Sequence, residues 1–268
     1  ARDLIDMNEY TGWYITRQRP QARVIFTRGC PYRCTFCSNK VWSRPGQGVR
    51  ARSAKNIADE LEMLRRDYGI REFFDDSDEL NHNVPKAIDI CNEIKRRNLG
   101  MTWKCQLRSS NLPEELVRAM AESGCWFVHL GIESANQRTL DGIRKGITVQ
   151  QGIAACERLQ RYGIKTLALF MLFNVWEEEG RLCFEGGRET RNTIALAWHL
   201  LKKNTVQLIS SSPTLPYPGS ELYEIALRHN LIKEHLRENW DAWLRDETFI
   251  MRLPGVTESE MAATRSLA

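Results

Sequence analysis

The sequence has no long apolar run: the longest, Thr166 to Phe173, is far too short to span a bilayer. It has no cationic start followed by an apolar stretch, so no secretory signal is legible and a cytoplasmic protein is expected. Charge of one sign is missing as well. Lys and Arg number 38 against 34 Asp and Glu, a net charge of +4, and the basic residues fall in short clusters such as Arg50 and Arg52 or Arg65 and Arg66. Without a basic tract, nucleic acid is not an expected partner. Histidine is scarce: His82, His129, His199, His229 and His235 sit in unrelated contexts, so no general acid or base stands out.

A disulfide framework is also lacking. Of eight cysteines, Cys91, Cys105, Cys125, Cys156 and Cys183 stand apart at long, irregular gaps. In a reducing compartment they read as small buried hydrophobes.

What the chain does have is size and pattern. Its 268 residues, 42% of them hydrophobic, suffice for one large domain or two small ones. An amphipathic helix, a glycine stop and a short apolar strand recur four times. Ser53 caps a helix through Ile57, Leu61 and Leu64 to Tyr68; Gly69 ends it, and Ile70 to Phe74 follow as a strand. The second helix starts at Pro85, ends near Gly100 and leads to the strand Met101 to Cys105. The third takes Asn111 as its cap, with Pro113 in the first turn, stops at Gly124 and yields Cys125 to Ile132. The fourth runs from Thr148 to Tyr162, stops at Gly163 and yields Lys165 to Phe173. Each glycine stands where a left-handed C-terminal residue is wanted, and each cap where helix N–H groups need an acceptor.

The strand Ala22 to Thr27 precedes these units; a helix over Thr190 to Lys203 and the strand Thr205 to Ser211 follow. Six strands alternating with helices predict an α/β fold with a parallel sheet, either doubly wound or a barrel, and both place chemistry at the C-terminal strand ends. Residues 1–21 read as a lead-in segment. After a helix from Glu221 to Arg228, residues 224–268 read as a Trp-rich, polar, helical tail. Asn174 to Arg188 inserts acidic and Gly-rich residues, as a lid, a substrate loop or a plain surface insertion.

Three cysteines are different. Gly29-Cys30-Pro31-Tyr32-Arg33-Cys34-Thr35-Phe36-Cys37 places a C-x3-C-x2-C loop directly after the first strand. Three is an odd number for disulfides and one short of a closed zinc site. A [4Fe–4S] cube held by three thiolates keeps its fourth iron open to an exogenous ligand. A zinc site would need another Cys or His, and the closest downstream histidine is His82. A redox Cys34–Cys37 pair has suitable spacing but leaves Cys30 unexplained.

The C-x3-C-x-aromatic-C pattern in that position resembles the radical S-adenosylmethionine (SAM) superfamily. FTRGCPYRCTFCSNKVW, REFFDDSDELN, VHLGIESANQRTLDGIRKGIT and PTLPYPGSELY extend the likeness over residues 22–223 and resemble the branch that often carries a cobalamin-binding domain ahead of the radical domain. ARDLIDMNEY looks like the linker after such a domain. The chain opens on Ala1 rather than Met, so the expectation is a fragment or processed form without the cobalamin module.

The resemblance implies a partial (β/α)6 TIM-like barrel of the radical SAM type, open on one side, with a [4Fe–4S] cluster on Cys30, Cys34 and Cys37 inside its mouth. It implies SAM on the open iron, broken by one electron into methionine and a 5′-deoxyadenosyl radical that abstracts hydrogen from substrate. Phe36 takes the position beside the adenine, Asp75 and Asp76 that of the SAM amine, and Glu133 and Ser134 that of the ribose hydroxyls; Arg108 is placed to pair with the SAM carboxylate. Each has a structural alternative: cluster shielding for Phe36, loop capping for the two aspartates, a surface ion pair for Arg108, a buried structural carboxylate for Glu133. One departure stands out. Where the family has a glycine-rich turn after the fifth strand, this chain reads FMLFNVWEEEG, with Phe173 in place of a small residue, so contacts carried by that turn do not transfer.

The expected function is radical SAM chemistry, methylation included, on an unidentified small-molecule or peptide substrate. Flavodoxin or ferredoxin is the expected kind of electron donor, and cobalamin enters through a domain outside this chain. Two rivals differ in sequence requirements. A tRNA-modifying, methylthiotransferase-like enzyme would carry an auxiliary cysteine cluster or a basic appendage, and neither is visible. A non-catalytic iron–sulfur or zinc module would not need the likeness beyond the cysteines.

Overall fold

Caps and left-handed stops set the helices. In the computed structural model, which describes residues 2–7, 9, 15–41, 48–243 and 249–268, Ser53 accepts the Asn56 N–H ahead of α1 (Ala54–Tyr68), and Gly69 closes it at φ 64°. Ala1, Asn8, Tyr10 and Trp42 of the quoted motifs lie outside the described residues. α2 (Val84–Arg97) starts at Asn83, whose side chain accepts the Lys86 N–H, and ends on Asn98 at φ 47°, two residues before the expected Gly100. Asparagine tolerates that region, so no glycine is needed there. α3 (Glu114–Glu122) is preceded by Pro113 as N-cap; the expected cap, Asn111, sits earlier in a left-handed turn at φ 51°.

α4 (Gln137–Gly142) lies in a stretch where the sequence pattern places no element, and α5 (Val149–Arg161) follows it. α6 (Gly187–Lys202), α7 (Glu221–Arg228), the short α8 (Trp240–Trp243) and α9 (Glu258–Arg265) complete the helices. Among the described residues, no helix is long and apolar enough to cross a membrane.

Six strands form one parallel sheet in chain order: β1 (Gln21–Val24), β2 (Glu72–Asp75), β3 (Thr102–Arg108), β4 (Cys125–Glu133), β5 (Lys165–Leu172) and β6 (Leu208–Pro213). Gln21 pairs with Glu72, and Glu72 with Thr102. Two strands begin later than the sequence suggests. Ile70 donates its N–H back to Leu64 O, so pairing starts at Glu72 rather than Ile70. Thr205 and Val206 donate to Leu200 O, finishing the helix end, and β6 starts only at Leu208. The 174–188 insertion is a hairpin of Val175–Glu178 on Arg181–Phe184. Its two-residue turn, Glu179 at φ 49° and Gly180 at φ 76°, has the double positive φ that matches the twist of paired strands.

The chain divides into two compact units, Ala1–Pro31, Gln47–Leu130 and Ala155–Leu167 in one and Tyr32–Gly46, Gly131–Ala154 and Ala168–Ala268 in the other. The first is built around aromatics: Trp103 stacks on Phe73 at 5.9 Å and 3°, with Phe26 tilted against both. Ile57, Leu61 and Leu64 of α1, three and four residues apart, are fully buried, as one face of a packed helix requires. The unit also buries an ion pair, Lys104 Nζ at 2.9 Å from Glu72 Oε1. Lys104 donates as well to Ile15 O and Gln21 Oε1, and Glu72 Oε2 accepts from Arg17 N, Thr102 Oγ1 and Trp126 Nε1. That many partners offset the desolvation such a pair suffers.

In the second unit, Leu172 and Phe173 share a core with Leu222 and Ile225 of α7 and with Leu231, Ile232, Ile250, Met251 and Met261. The segment after Arg228, polar by composition, thus contributes apolar side chains that are almost wholly buried. Phe173 stands edge-on to Phe249 at 5.8 Å and occupies the left-handed region at φ 59°.

Candidate functional site

The cysteine loop is held by its backbone. Gly29, at φ 92°, leads into it and donates its N–H to Asp78 Oδ2 at 2.6 Å. Cys37 N–H donates to Cys34 O at 3.2 Å, which tightens the turn. Thr35 N–H donates to Ile143 O at 3.0 Å, and Thr35 O accepts the Leu222 N–H at 2.9 Å. Cys34 is buried, Cys30 and Cys37 are half-buried, and no cysteine is in a disulfide. By contrast, burial pushes the Cys91 and Cys156 thiols up to about 12. They stay protonated and inert, as their isolated positions suggest.

Three thiols on one short loop after a first strand match in number and chemistry what a [4Fe–4S] cluster with one open iron requires, so the residues fit that group. Among the described residues, no three His, Cys, Asp or Glu side chains are already gathered around a metal-sized space.

At the C-terminal end of β2, the two aspartates differ. Asp75 is wholly buried, and its Oδ1 accepts from Phe26 N, Ser77 N and Ser77 Oγ, while its Oδ2 has no partner. Burial pushes its carboxyl up to about 7 against those hydrogen bonds. Asp76 turns outward to Arg23, whose Nη1 lies 2.7 Å from Oδ2. Arg108, closing β3, is buried; its Nε donates to Ser110 Oγ at 2.9 Å. His129 is neutral at pH 7, pushed down to about 4 by burial and by the charges of Lys104 and Arg23.

At the end of β4, Glu133 occupies the left-handed region at φ 67°, unusual for a residue with a side chain. Its Oε1 lies 2.6 Å from Lys145 Nζ, with both side chains buried. Lys145 Nζ also stands 5.9 Å from the centroid of the Phe36 ring, so the aromatic of the cysteine loop, the strand-end carboxylate and this ammonium form one group. A cation facing a ring is attracted by its quadrupole. A Cβ on Gly131 would meet both Glu133 Oε1 and Lys145 Nζ, so glycine leaves room for the pair.

Ser134 points the other way. Its Oγ donates to Glu185 Oε1 at 2.6 Å and accepts from Asn136 N at 3.0 Å. Glu185, wholly buried on the segment after the hairpin, also accepts from Asn136 Nδ2 and, on Oε2, from the backbone and side-chain nitrogens of Asn174. Lys145 and Glu185 were not among the sequence candidates. A lysine between the apolar Ile143 and Ile147 and an acid after an apolar strand were the available signals, and neither is specific.

Residues 24–182 match the Radical SAM superfamily. A protein described as an uncharacterized methyltransferase in Pyrococcus horikoshii is 32% identical over 262 residues, covering 97% of this chain and 52% of that protein. The anaerobic magnesium-protoporphyrin IX monomethyl ester cyclase of Rubrivivax gelatinosus is 29% identical over 214 residues, 79% of this chain and 36% of the cyclase. Among solved structures, the radical SAM methyltransferase TsrM from Kitasatospora setae, with cobalamin and a [4Fe–4S] cluster bound, superimposes with a TM-score of 0.64 at 20% identity over 78% of this chain and 37% of that one. The chain thus spans about half the length, or less, of the relatives it matches. The shared fold is the partial (β/α)6 TIM-like barrel of radical SAM proteins. On its fold, its cysteine loop and the match over residues 24–182, the chain belongs to the radical SAM superfamily.

Proposed function

We propose that this chain is the radical-generating core of a cobalamin-associated radical SAM enzyme that methylates a small-molecule or peptide substrate. The observation that carries the reading is the Cys30, Cys34 and Cys37 loop, held from outside by Thr35 and with none of its cysteines in a disulfide. The superfamily's cofactors are a [4Fe–4S] cluster and SAM. When bound, the cluster supplies SAM with the single electron that breaks its sulfur–carbon bond and yields the 5′-deoxyadenosyl radical.

The chain's own residues bind and orient. Cys30, Cys34 and Cys37 would hold three irons as thiolates. Phe36 offers its ring to the adenine. Glu133 has Oε2 left for a ribose hydroxyl while Lys145 holds Oε1, and Ser134 fixes the following turn through Glu185. Asp75 shapes the β2 turn that presents Asp76 and its carbonyls to the SAM amine. Arg108, with its guanidinium partly engaged by Ser110, is the partner for the carboxylate.

Methylation rests on the name of the Pyrococcus horikoshii relative and on the bound cobalamin in the TsrM structure. Cobalamin is held, in this reading, by a domain outside these 268 residues. Residues 1–21 act as the lead-in, 22–223 as the core and 224–268 as a C-terminal segment. The electron donor is a flavodoxin or ferredoxin, in the cytoplasm.

The test is anaerobic reconstitution with iron and sulfide, followed by electron paramagnetic resonance of the reduced cluster. SAM is expected to shift the signal by binding the open iron, and Cys30→Ala, Cys34→Ala and Cys37→Ala each to abolish it. Tight zinc uptake with no iron–sulfur absorbance would overturn the reading.

A further inference from the structure

We infer that the first unit carries a further binding site, for the phosphate or phosphonate group of a small organic molecule, in an arginine-lined cavity beside the C-terminal end of β1. The cavity holds about 520 Å³. That is room for an oxyanion and part of the skeleton attached to it. Five arginines line it, Arg2, Arg23, Arg28, Arg50 and Arg52, against two acidic residues, Glu60 and Asp76.

Those carboxylates are already engaged. Glu60 Oε1 lies 2.6 Å from Arg2 Nη1 and its Oε2 lies 2.5 Å from Arg52 Nη1, while Asp76 takes Arg23. Burial works to raise the Glu60 carboxyl, yet hydrogen bonds from Arg52 and Arg2 hold it below the usual range, so it is ionised and committed. Arg28 and Arg50 have no carboxylate partner among the described residues.

Nor are these two scattered. Thr27–Arg28 and Arg50–Ala51 form an antiparallel ribbon in which Arg28 and Arg50 are direct cross-strand partners. Like charges directly opposite each other destabilise a strand pair, and an anion seated between them removes the repulsion. Two arginines paired across the ribbon and lining one cavity suit a tetrahedral oxyanion with several acceptor oxygens. Arg2 and Arg52, fixed by Glu60, extend the positive wall. Every lining residue belongs to the first unit, and none is a cysteine.

The experiment is calorimetric titration of the intact chain at low salt with inorganic phosphate and with glycerol 3-phosphate, which needs no loaded cluster. Saturable binding of both is expected, tighter for the monoester if the cavity takes the attached skeleton. Arg28→Gln and Arg50→Gln should each weaken it about tenfold, the factor that follows from losing one charge-assisted hydrogen bond. Arg66→Gln, which removes a guanidinium paired with Asp67 outside this cavity, should change nothing.

Thermal melts keep the result independent of folding defects. Without phosphate, neither variant should melt below the parent chain, because the cross-strand repulsion is relieved. Added phosphate should raise the parent's Tm by clearly more than theirs at the same concentration. No saturable binding of either probe, unchanged affinity in Arg28→Gln and Arg50→Gln, or tighter binding of an oligonucleotide that phosphate fails to displace would each overturn the inference.

Discussion

The Lys145 ammonium lies 2.6 Å from Glu133 Oε1, with both side chains buried and the Phe36 ring beside the ammonium. The pair joins the end of β4 to the segment after α4 and gives the left-handed Glu133 a fixed carboxylate direction. Removing one member of such a pair leaves an uncompensated buried charge, at a cost of about 3–5 kcal/mol. Lys145→Met is therefore expected to lose stability in that range in urea denaturation. The double variant Glu133→Gln with Lys145→Met should recover much of it. Equal losses in the single and double variants would mean that the lysine stem, not the charge pair, carries the effect.

Asp75 gives the chain a pH dependence of definite sign. Its folded carboxyl is pushed by burial up to about 7, whereas an unfolded aspartate releases its proton near 4. The folded state thus holds a proton the unfolded state lacks. The stabilisation is full below about pH 4, falls by at most about 1.4 kcal/mol per unit as pH rises towards 7, and is flat above. Asp75→Asn keeps an acceptor for Phe26 and Ser77 but does not titrate. The stability difference between parent and variant, measured by denaturation of the cluster-free chain, should decline from pH 4 to 7; parallel profiles would contradict it.

Trp176 of the hairpin lies against Gly142, the last residue of α4, where a Cβ would overlap the indole. Trp176→Ala should cost about 3–5 kcal/mol, the range for emptying a buried aromatic site. Gly142→Ala should cost about 1–3 kcal/mol in the parent chain through overpacking. In the Trp176→Ala background the same change should become neutral or stabilising, since alanine is the better helix former. That reversal of sign, read from denaturation midpoints, is the signature of direct contact.

Much of the helical framework was legible because caps and stops are local chemistry. Ser53 and Gly69 bracket α1 as their side chain and its absence require. Asn111 misled because an asparagine before a helix serves a left-handed turn as well as a cap, and Pro113 entered the helix without one. The hairpin at 175–184 was hidden because its turn pairs a glutamate with a glycine, a weak signal beside Asn-Gly. At the site, the C-x3-C-x2-C spacing of Cys30, Cys34 and Cys37 is visible in the sequence because it is local. Lys145 and Glu185 were not, because they reach Glu133 and Ser134 across 12 and 51 residues of sequence, and only the fold brings such groups together.

Glu185 supports Ser134 as an acceptor of four hydrogen bonds. Glu185→Gln turns one acceptor into a donor facing donors and should cost about 1–3 kcal/mol for each group left unpaired. It should also weaken SAM binding in the reconstituted chain if the Glu133–Ser134 turn carries the ribose. Unchanged SAM affinity with lowered stability would confine Glu185 to a structural role.

The most direct measurement is chromatographic detection of 5′-deoxyadenosine from the reconstituted chain after dithionite and SAM are added under anaerobic conditions. A product peak is expected, and it should disappear in Cys30→Ala, Cys34→Ala and Cys37→Ala alike. A fully loaded, reducible cluster that binds SAM and yields no 5′-deoxyadenosine, or a peak that survives loss of any of the three thiols, would contradict it.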